Sequence, residues 1–149
     1  MDKHYGTLYS EVKLPFKFSV GPVFFKFYEA LKEKKIIGNT CPKCNMTLVP
    51  PRSFCPVCYV EMGDYQEVSQ LGKIVSWTIV NQPIHGASLN VPYIVGLIRL
   101  EGTDCNFLHL IGGIKPSEYQ KLKPGIKVQA RWKENRKGHL LDIAFFEPI

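Results

Sequence analysis

The sequence predicts a mainly β protein with an N-terminal helix, built as a small cysteine-rich module followed by a five-stranded barrel. Three observations carry this prediction: two closely spaced C-x-x-C pairs, a helical apolar period before them, and a series of strand patterns after them. The 149 residues and the 45% hydrophobic content suit one ordinary domain or two small ones. We expect an arm and helix over 1–35, the cysteine module over 36–64 and the barrel over 65–149.

The pattern over residues 22–35 predicts a helix. Pro22 suits the first helical position, and Gly38 lies just beyond the expected end. Residues 1–21 show no clear period, which fits either an arm packed on its own domain or an arm that docks on a partner. The apolar face of the predicted helix consists of Val23, Phe24, Phe27, Tyr28 and Leu31, and the arm carries the aromatic residues Tyr5, Tyr9, Phe16 and Phe18.

From Gly72 onward the patterns are typical of β-strands. Residues 126–133 alternate, so that Val128 and Trp132 are expected to face inward and their neighbours outward. Residues 61–71 are interpreted as a linker. In the last strand, the residues expected to face inward are Leu141, Ile143 and Phe145.

The order of the predicted elements matches an OB-fold, a small five-stranded barrel. Another small β-barrel or a sandwich is the alternative that the strand count leaves open. The first three strands are predicted at 72–80, 93–100 and 106–111, a short helix at 116–122, and the fourth strand at 126–133.

The cysteine module carries the strongest motif in the sequence. Cys41 pairs with Cys44 and Cys55 with Cys58, and ten residues separate the two pairs. Two such turns place four sulfur atoms at the corners of a tetrahedron, which predicts a rubredoxin-like ribbon that binds Zn²⁺, with iron as a possible substitute. Two disulfides and a redox pair are the weaker alternatives. Because four protein ligands leave no open coordination position, the predicted metal is structural.

The fifth cysteine, Cys105, is expected to be a small, partly buried apolar side chain.

Sequence motifs of catalysis are missing. The sequence contains no G-x-S-x-G, H-E-x-x-H, phosphate loop or G-x-G-x-x-G. The histidines are scattered: His109 is expected to be a barrel residue, and His85 lies in a loop where it could touch a ligand. Asp104 and Asp142 are assigned to turn and solvent-facing positions. We therefore predict a binding protein without catalytic residues.

The charge pattern does not indicate a basic tail that binds nucleic acid. The formal net charge is +6, but no run of five like charges occurs. The N-terminus lacks the apolar core of a signal peptide, and polar residues and prolines interrupt the uncharged stretch 74–98. The sequence thus predicts a cytoplasmic protein that does not span a membrane.

The second cysteine pair lies in a run that resembles a known family. Pro50-Pro51-Arg52-Ser53-Phe54-Cys55-Pro56-Val57-Cys58 is similar to the signature of the zinc-ribbon/OB-fold acyl-CoA-associated family, formerly a domain of unknown function. The resemblance covers roughly residues 22–149, and the runs 72–78, 92–95 and 124–128 resemble its later landmarks. Asn45 stands where a glycine is common, and asparagine tolerates the same left-handed backbone.

The resemblance implies a function in CoA-thioester metabolism, including the isoprenoid (mevalonate) pathway of lipid metabolism. Members are thought to bind acyl-CoA or CoA and to bridge or stabilise a thiolase or a hydroxymethylglutaryl-CoA synthase. Because all four cysteines are present here, the resemblance implies that this chain has the metal site of the family. The residues that we predict to contact such a ligand are Trp77, His85, Tyr93, Lys127, Arg131 and Lys133, with Arg136 and Lys137 in the next turn.

Two rival functions remain open at this stage. Zinc ribbons and OB-folds both occur in proteins that bind single-stranded nucleic acid, and the basic charge fits them. The dispersed charges and the Pro-Pro-Arg run argue against this alternative. The other rival is a purely structural subunit that has no ligand of its own.

Overall fold

The computed structural model describes residues 6, 9, 17–83 and 89–149. The predictions for His85 and for the arm residues Tyr5 and Phe16 lie outside these residues. No helix in the described part is long and apolar enough to cross a bilayer. The elements are α1 (Pro22–Lys32), β1 (Ile36–Thr40), β2 (Thr47–Leu48), β3 (Tyr65–Val68), β4 (Leu71–Val80), β5 (Tyr93–Leu100), β6 (Phe107–Ile111), β7 (Lys127–Trp132), β8 (Ile143–Pro148) and two short 3₁₀ helices, Pro116–Lys121 and Leu140–Asp142.

The predicted helix forms, but it is shorter than expected. Pro22 occupies the start of α1, and Phe27 and Leu31 on its apolar face are fully buried. The helix ends at Lys32 because Lys34 adopts a left-handed backbone with φ of 60°. The chain therefore leaves the helix before Gly38, which lies inside β1 and does not terminate the helix.

Strands β1 and β2 of the cysteine module form a three-stranded antiparallel sheet with β3, in the order β2-β1-β3. β3 occupies part of the segment that we interpreted as a linker, and this interpretation is wrong for residues 65–68. Tyr65 pairs with Asn39 and Val68 with Ile36. Val68 is the one buried residue of β3, so the strand lacks the apolar alternation from which strands are predicted.

Gly38 allows β2 to approach β1 closely. A Cβ atom at this position would lie 2.5 Å from the carbonyl oxygen of Leu48 and 2.8 Å from Cγ2 of Val49. We expect Gly38→Ala to lower the free energy of unfolding by about 1–3 kcal/mol, because backbone has to move to relieve the clash. Chemical denaturation measures the change. Gly21→Ala is the control, since no atom lies within 4 Å of its added Cβ; equal losses in the two variants would contradict the explanation.

The second module is the predicted OB-fold. Five strands close a barrel in the order β4-β5-β6-β8-β7. All neighbouring pairs are antiparallel except β6 and β8, which pair in parallel where Ile111 lies opposite Phe146. The short helix expected at 116–122 is the 3₁₀ helix between β6 and β7.

A bulge in β8 changes which residues face the core. Arg131 pairs with Phe145 and Trp132 with Ile143, so Ala144 has no partner in this register. The bulge therefore puts Ile143 and Phe146 inside the barrel, both fully buried. Our inward assignment was right for Ile143 but wrong for Leu141, which is 39% exposed, and for Phe145, which is only half-buried.

The two modules share one hydrophobic core. Phe27 of α1, Ile36 of β1 and Val49 pack in the same cluster as the barrel residues Ile98 and Phe146. Burial of α1 and of the three-stranded sheet therefore depends on the barrel, and the stability of the two modules is coupled.

Hydrogen bonds from the turn between β5 and β6 reinforce this junction. A carboxylate oxygen of Asp104 accepts from the N–H of Thr47 at 2.8 Å. The Cys105 sulfur accepts from the N–H of Val49 at 3.0 Å and donates to its carbonyl at 3.2 Å. Cys105 is thus part of a polar contact and not merely the small apolar side chain that we predicted.

The loop between β7 and β8 fastens the helix to the barrel. Arg136 donates from Nε to the carbonyl of Lys32 at the end of α1, and from a terminal nitrogen to the carbonyls of Lys133 and Glu134. Nearby, the Trp132 indole donates to Gln70. The Nε donor of Arg136 therefore satisfies a carbonyl at the C-terminus of α1.

Candidate metal centre and ligand site

The two C-x-x-C turns have the same backbone geometry. In the first, the N–H of Asn45 donates to the carbonyl of Cys41, and in the second the N–H of Tyr59 donates to the carbonyl of Cys55. The residue after each second cysteine has a left-handed backbone, with φ of 59° at Asn45 and 57° at Tyr59. We expected a left-handed backbone at Asn45, because asparagine tolerates it. We did not expect one at Tyr59, because a left-handed tyrosine is uncommon.

The four cysteine sulfurs form a compact cluster suited to metal binding. All four lie within 4.8 Å of one another, and the Cys44 and Cys55 sulfurs are 3.8 Å apart. A tetrahedral zinc with Zn–S bonds of ~2.3 Å has sulfur–sulfur edges of ~3.8 Å, so the donor set and its dimensions fit such an ion. Cys41 and Cys55 are buried and Cys44 is exposed, so the site lies at the surface of the sheet.

The electrostatics of the cluster favour a bound cation. Burial opposes ionisation of Cys41, but the backbone N–H groups of Cys44 and Lys43 outweigh it and lower the pKa of this thiol to about 7. Contact with the Cys44 thiol, together with burial, raises the pKa of Cys58 to about 12. Four thiolates in contact repel one another unless a cation lies among them, so metal binding releases protons.

Asn39 holds the Pro-Pro-Arg run beside the metal site. Its side chain is 2% exposed; Nδ2 donates to the carbonyl of Arg52 at 2.7 Å, and Oδ1 accepts from the N–H of Arg52 at 3.1 Å. This pair of bonds fixes the backbone that leads into Cys55. We did not predict a role for Asn39 from the sequence. No sequence pattern shows that this asparagine bonds to the backbone of Arg52, which is distant along the chain.

The structure spreads the predicted ligand residues over the barrel. Lys127, Arg131 and Lys133 are exposed, and Arg131 forms an ion pair with Glu147. Trp77 packs half-buried against the core, and Tyr93 is half-buried at the start of β5. Trp77 pairs with Gly96 and Tyr93 with Val80, so the two rings point to opposite faces of the sheet. Their ligand role stays a prediction.

Two surface cavities lie at the cysteine module, away from those residues. One of about 420 Å³ lies between α1 and the sheet, where the Lys26 ammonium is 4.6 Å from the centre of the Tyr65 ring. One of about 330 Å³ lies between the module and the turn that carries Asp104 and Cys105. Arg52 lines both cavities, and both volumes are those of small-molecule sites.

His109 is the barrel residue that the sequence predicted. It is 6% exposed and stacks on Phe107, with ring centres 5.6 Å apart. Nε2 lies 3.1 Å from the carbonyl of Leu140, while Nδ1 is buried without a partner. Burial lowers the pKa of His109 below its usual value, so the imidazole is held neutral in the core.

This burial predicts a loss of stability in mild acid. Below about pH 6.5 the unfolded chain binds a proton at this histidine, whereas the folded chain resists it down to its lowered pKa. The melting temperature should therefore fall between about pH 7 and pH 5, and His109→Phe should flatten the fall. An unchanged slope in His109→Phe would refute the assignment.

A four-cysteine ribbon followed by a closed five-stranded barrel defines a zinc-ribbon/OB-fold protein. Comparison with known families agrees: residues 29–62 match the rubredoxin-like zinc ribbon domain of ChsH2, and residues 65–133 match its C-terminal OB-fold domain. The chain belongs to this DUF35 family, which confirms the resemblance seen in the sequence.

Relatives of the chain are scaffold proteins and parts of enzyme assemblies. A "DUF35 domain-containing scaffold protein" of Pyrococcus furiosus is 28% identical over 70% of this chain and 74% of its own length. A "Probable enoyl-CoA hydratase alpha subunit" of Thermomonospora curvata is 30% identical over 72% of this chain, which spans about a third (32%) of that relative. The solved "Ltp2-ChsH2(DUF35) aldolase" superposes with a TM-score of 0.68 at 25% identity, covering 89% of this chain and 98% of that chain. An accessory or scaffold role is thus supported.

Proposed function

We propose that this chain is a non-catalytic accessory protein that binds acyl-CoA or CoA and serves a thiolase or hydroxymethylglutaryl-CoA synthase-type enzyme in the cytoplasm. The observation that carries the proposal is the match along both modules to relatives named as scaffold proteins and to a DUF35 chain in an aldolase assembly. The enoyl-CoA hydratase relative adds support for a CoA thioester, since that is the substrate its name states.

The proposed metal is a structural Zn²⁺ held by the four cysteines, with iron as a substitute. Zinc supplies folding energy to a segment that is too small to build its own core. The ligands Cys41 and Cys55 lie on turns beside β1 and the Pro-Pro-Arg run, so metal binding would orient Arg52 toward the cavities that it lines.

Cationic and aromatic side chains supply the proposed contacts to CoA. Lys127 and Lys133 are exposed and could meet phosphate groups, whereas Arg131 would have to exchange Glu147 for a phosphate. Trp77 and Tyr93 flank the loop between β4 and β5, which together with the loop between β7 and β8 forms the ligand-binding end of many OB-folds. A channel shared with the partner enzyme would bring these groups to one ligand.

Purification of the tagged chain from its own host tests the accessory role. We expect a thiolase or hydroxymethylglutaryl-CoA synthase-type enzyme to co-purify in a fixed ratio, identified by mass spectrometry and sizing. A Cys41→Ser, Cys44→Ser double variant should lose it together with the folded ribbon. Recovery of nucleic acid with transcription proteins, in place of an enzyme, would favour the single-stranded nucleic-acid alternative.

A further inference from the structure

The outer surface of β5 and β6 is apolar where an antiparallel sheet normally meets water. The inward residues of these strands, such as Ile98 and Phe107, are buried. Four of the outward residues are also aliphatic: Leu97 lies opposite Leu108, and Val95 opposite Leu110. Leu108 is 62% exposed, and the other three are half-buried. We call these four outward residues the apolar stripe. An antiparallel sheet with one solvated face alternates apolar and polar residues, so a strand pair that is apolar on both faces indicates that the outer face is covered.

A row of three cations borders the apolar stripe. Lys73 of β4 lies directly opposite Arg99 of β5 on one side and Lys127 of β7 on the other. All three side chains are exposed, and we call them the basic row. Neighbouring strands are ~4.8 Å apart, so the three charges lie side by side across ~10 Å.

No carboxylate compensates this row within residues 17–83 and 89–149. Arg99 donates to the side chain of Asn106, and none of the three cations forms an ion pair there. Glu147, on the neighbouring strand β8, is already paired with Arg131. Like charges placed directly opposite each other destabilise a sheet, so the fold retains a repulsive arrangement that an acidic partner would relieve.

We propose that the apolar stripe and the basic row form a docking surface for a protein partner whose own surface carries an apolar patch bordered by carboxylates. The arrangement has the anatomy of a protein interface, an apolar centre with a charged rim. The inference rests on the proposed accessory function, and it names the part of the chain that would hold the enzyme.

The charge and shape of this surface favour a protein partner with carboxylates over a second copy of the chain, a nucleic acid or a small ligand. A second copy of the chain would bring one basic surface against another, since the net charge is +6. Single-stranded nucleic acid needs aromatic platforms among its cations. The outward aromatic residue of β5, Tyr93, is half-buried and lies at the other end of the strand from Arg99, so it does not stand among the basic row. The cavity at the stripe, lined by Val95, Leu108 and Leu110, has a volume of about 200 Å³. This is smaller than the ~300–1,000 Å³ of small-molecule sites.

The test uses the complex recovered from the native host. Leu108→Arg places a charge in the stripe, and Phe25→Arg on α1 is its matched control, because Leu108 is 62% and Phe25 55% exposed. Lys73→Glu reverses the middle charge of the row, with the exposed Lys115→Glu as the control for net charge. We expect each surface variant to weaken the complex at least about tenfold in calorimetry, and each control to leave it within about twofold.

Three further readouts separate docking from folding. Lys73→Glu places opposite charges beside Arg99 and Lys127, so it should raise the melting temperature of the free chain while it weakens the complex. A carbodiimide, which couples an amine to a carboxylate in direct contact, should link Lys73 or Lys127 to an aspartate or glutamate of the partner. Leu108→Arg should retain one metal per chain.

The inference is overturned if the complex forms but tolerates Leu108→Arg and Lys73→Glu, a result that leaves the accessory function standing. It is also overturned if carbodiimide links copies of this chain to each other, or if phosphatidylglycerol vesicles bind the chain through the row and no enzyme does. A host preparation that yields no enzyme at all rejects the proposed function and the docking surface with it.

Discussion

Metal removal is expected to destabilise the whole chain and not only its cysteine module. A strong chelator, or Cys55→Ser, should lower the free energy of unfolding by at least about 3 kcal/mol, since structural zinc sites supply much of the folding energy of small domains. The loss reaches the barrel because Phe27, Ile36 and Val49 share a core with barrel residues. Thermal unfolding followed by circular dichroism, with metal measured on the same samples, tests this expectation.

Cys105→Ser is the matched control for the metal prediction. Cys105 lies outside the four-sulfur cluster and contacts the backbone of Val49, and a hydroxyl can keep both of these bonds. This variant should retain one metal per chain and melt close to the parent. A metal-free chain that melts at the parent's temperature would show that the cluster has no structural role.

Asp142→Ala is expected to have the second largest effect. This carboxylate is 4% exposed and accepts hydrogen bonds from the backbone N–H groups of Lys137, Gly138 and His139. Its loss leaves three donors without their acceptor, which should cost about 3 kcal/mol or more in denaturation experiments. The same loop carries Arg136, so α1 should also lose hydrogen-exchange protection at its C-terminus. The exposed Asp64→Ala is the control.

The pH dependence of stability gives a separate check on Asp142. Burial works to raise its pKa, but the hydrogen bonds from His139, Lys137 and Gly138 outweigh burial and lower it. Its stabilising effect is therefore present above the unfolded value of about 3.9 and is lost as the pH falls through the lower folded pKa. Asp142→Asn should remove this acid-range slope and leave the fall between about pH 7 and pH 5 that belongs to His109. A parent slope that persists in Asp142→Asn would contradict the assignment.

Local patterns were sufficient to predict most of the fold and the metal cluster. The β5 bounds and the four-cysteine cluster are indicated by short-range signals, namely a β-branched run and two C-x-x-C turns. β3 could not be found in this way because its pairing with β1 joins residues such as Ile36 and Val68 that are distant in sequence. The bulge at Ala144 likewise depends on the register of two strands.

The polar contacts were the least predictable feature. We expected Asp142 to face solvent, yet it is buried, because its partners are backbone N–H groups that no side-chain pattern reveals. Arg131 was a candidate phosphate contact, but Glu147 lies across the strand pair and binds it. Lys73 and Arg99 attracted no notice in the sequence, since only the barrel register brings them next to Lys127.

Calorimetric titration with acetyl-CoA and acetoacetyl-CoA tests whether the chain, alone or with its enzyme, binds a CoA thioester. The metal-loaded chain and its complex with the co-purified enzyme are titrated in parallel, and a single-stranded oligonucleotide is run alongside each. We expect a CoA thioester to bind the chain or the complex, Lys127→Gln or Lys133→Gln to weaken this binding, and the oligonucleotide not to bind. Binding of the oligonucleotide, with no binding of either thioester to the chain or the complex, would rule out the proposed CoA-binding function.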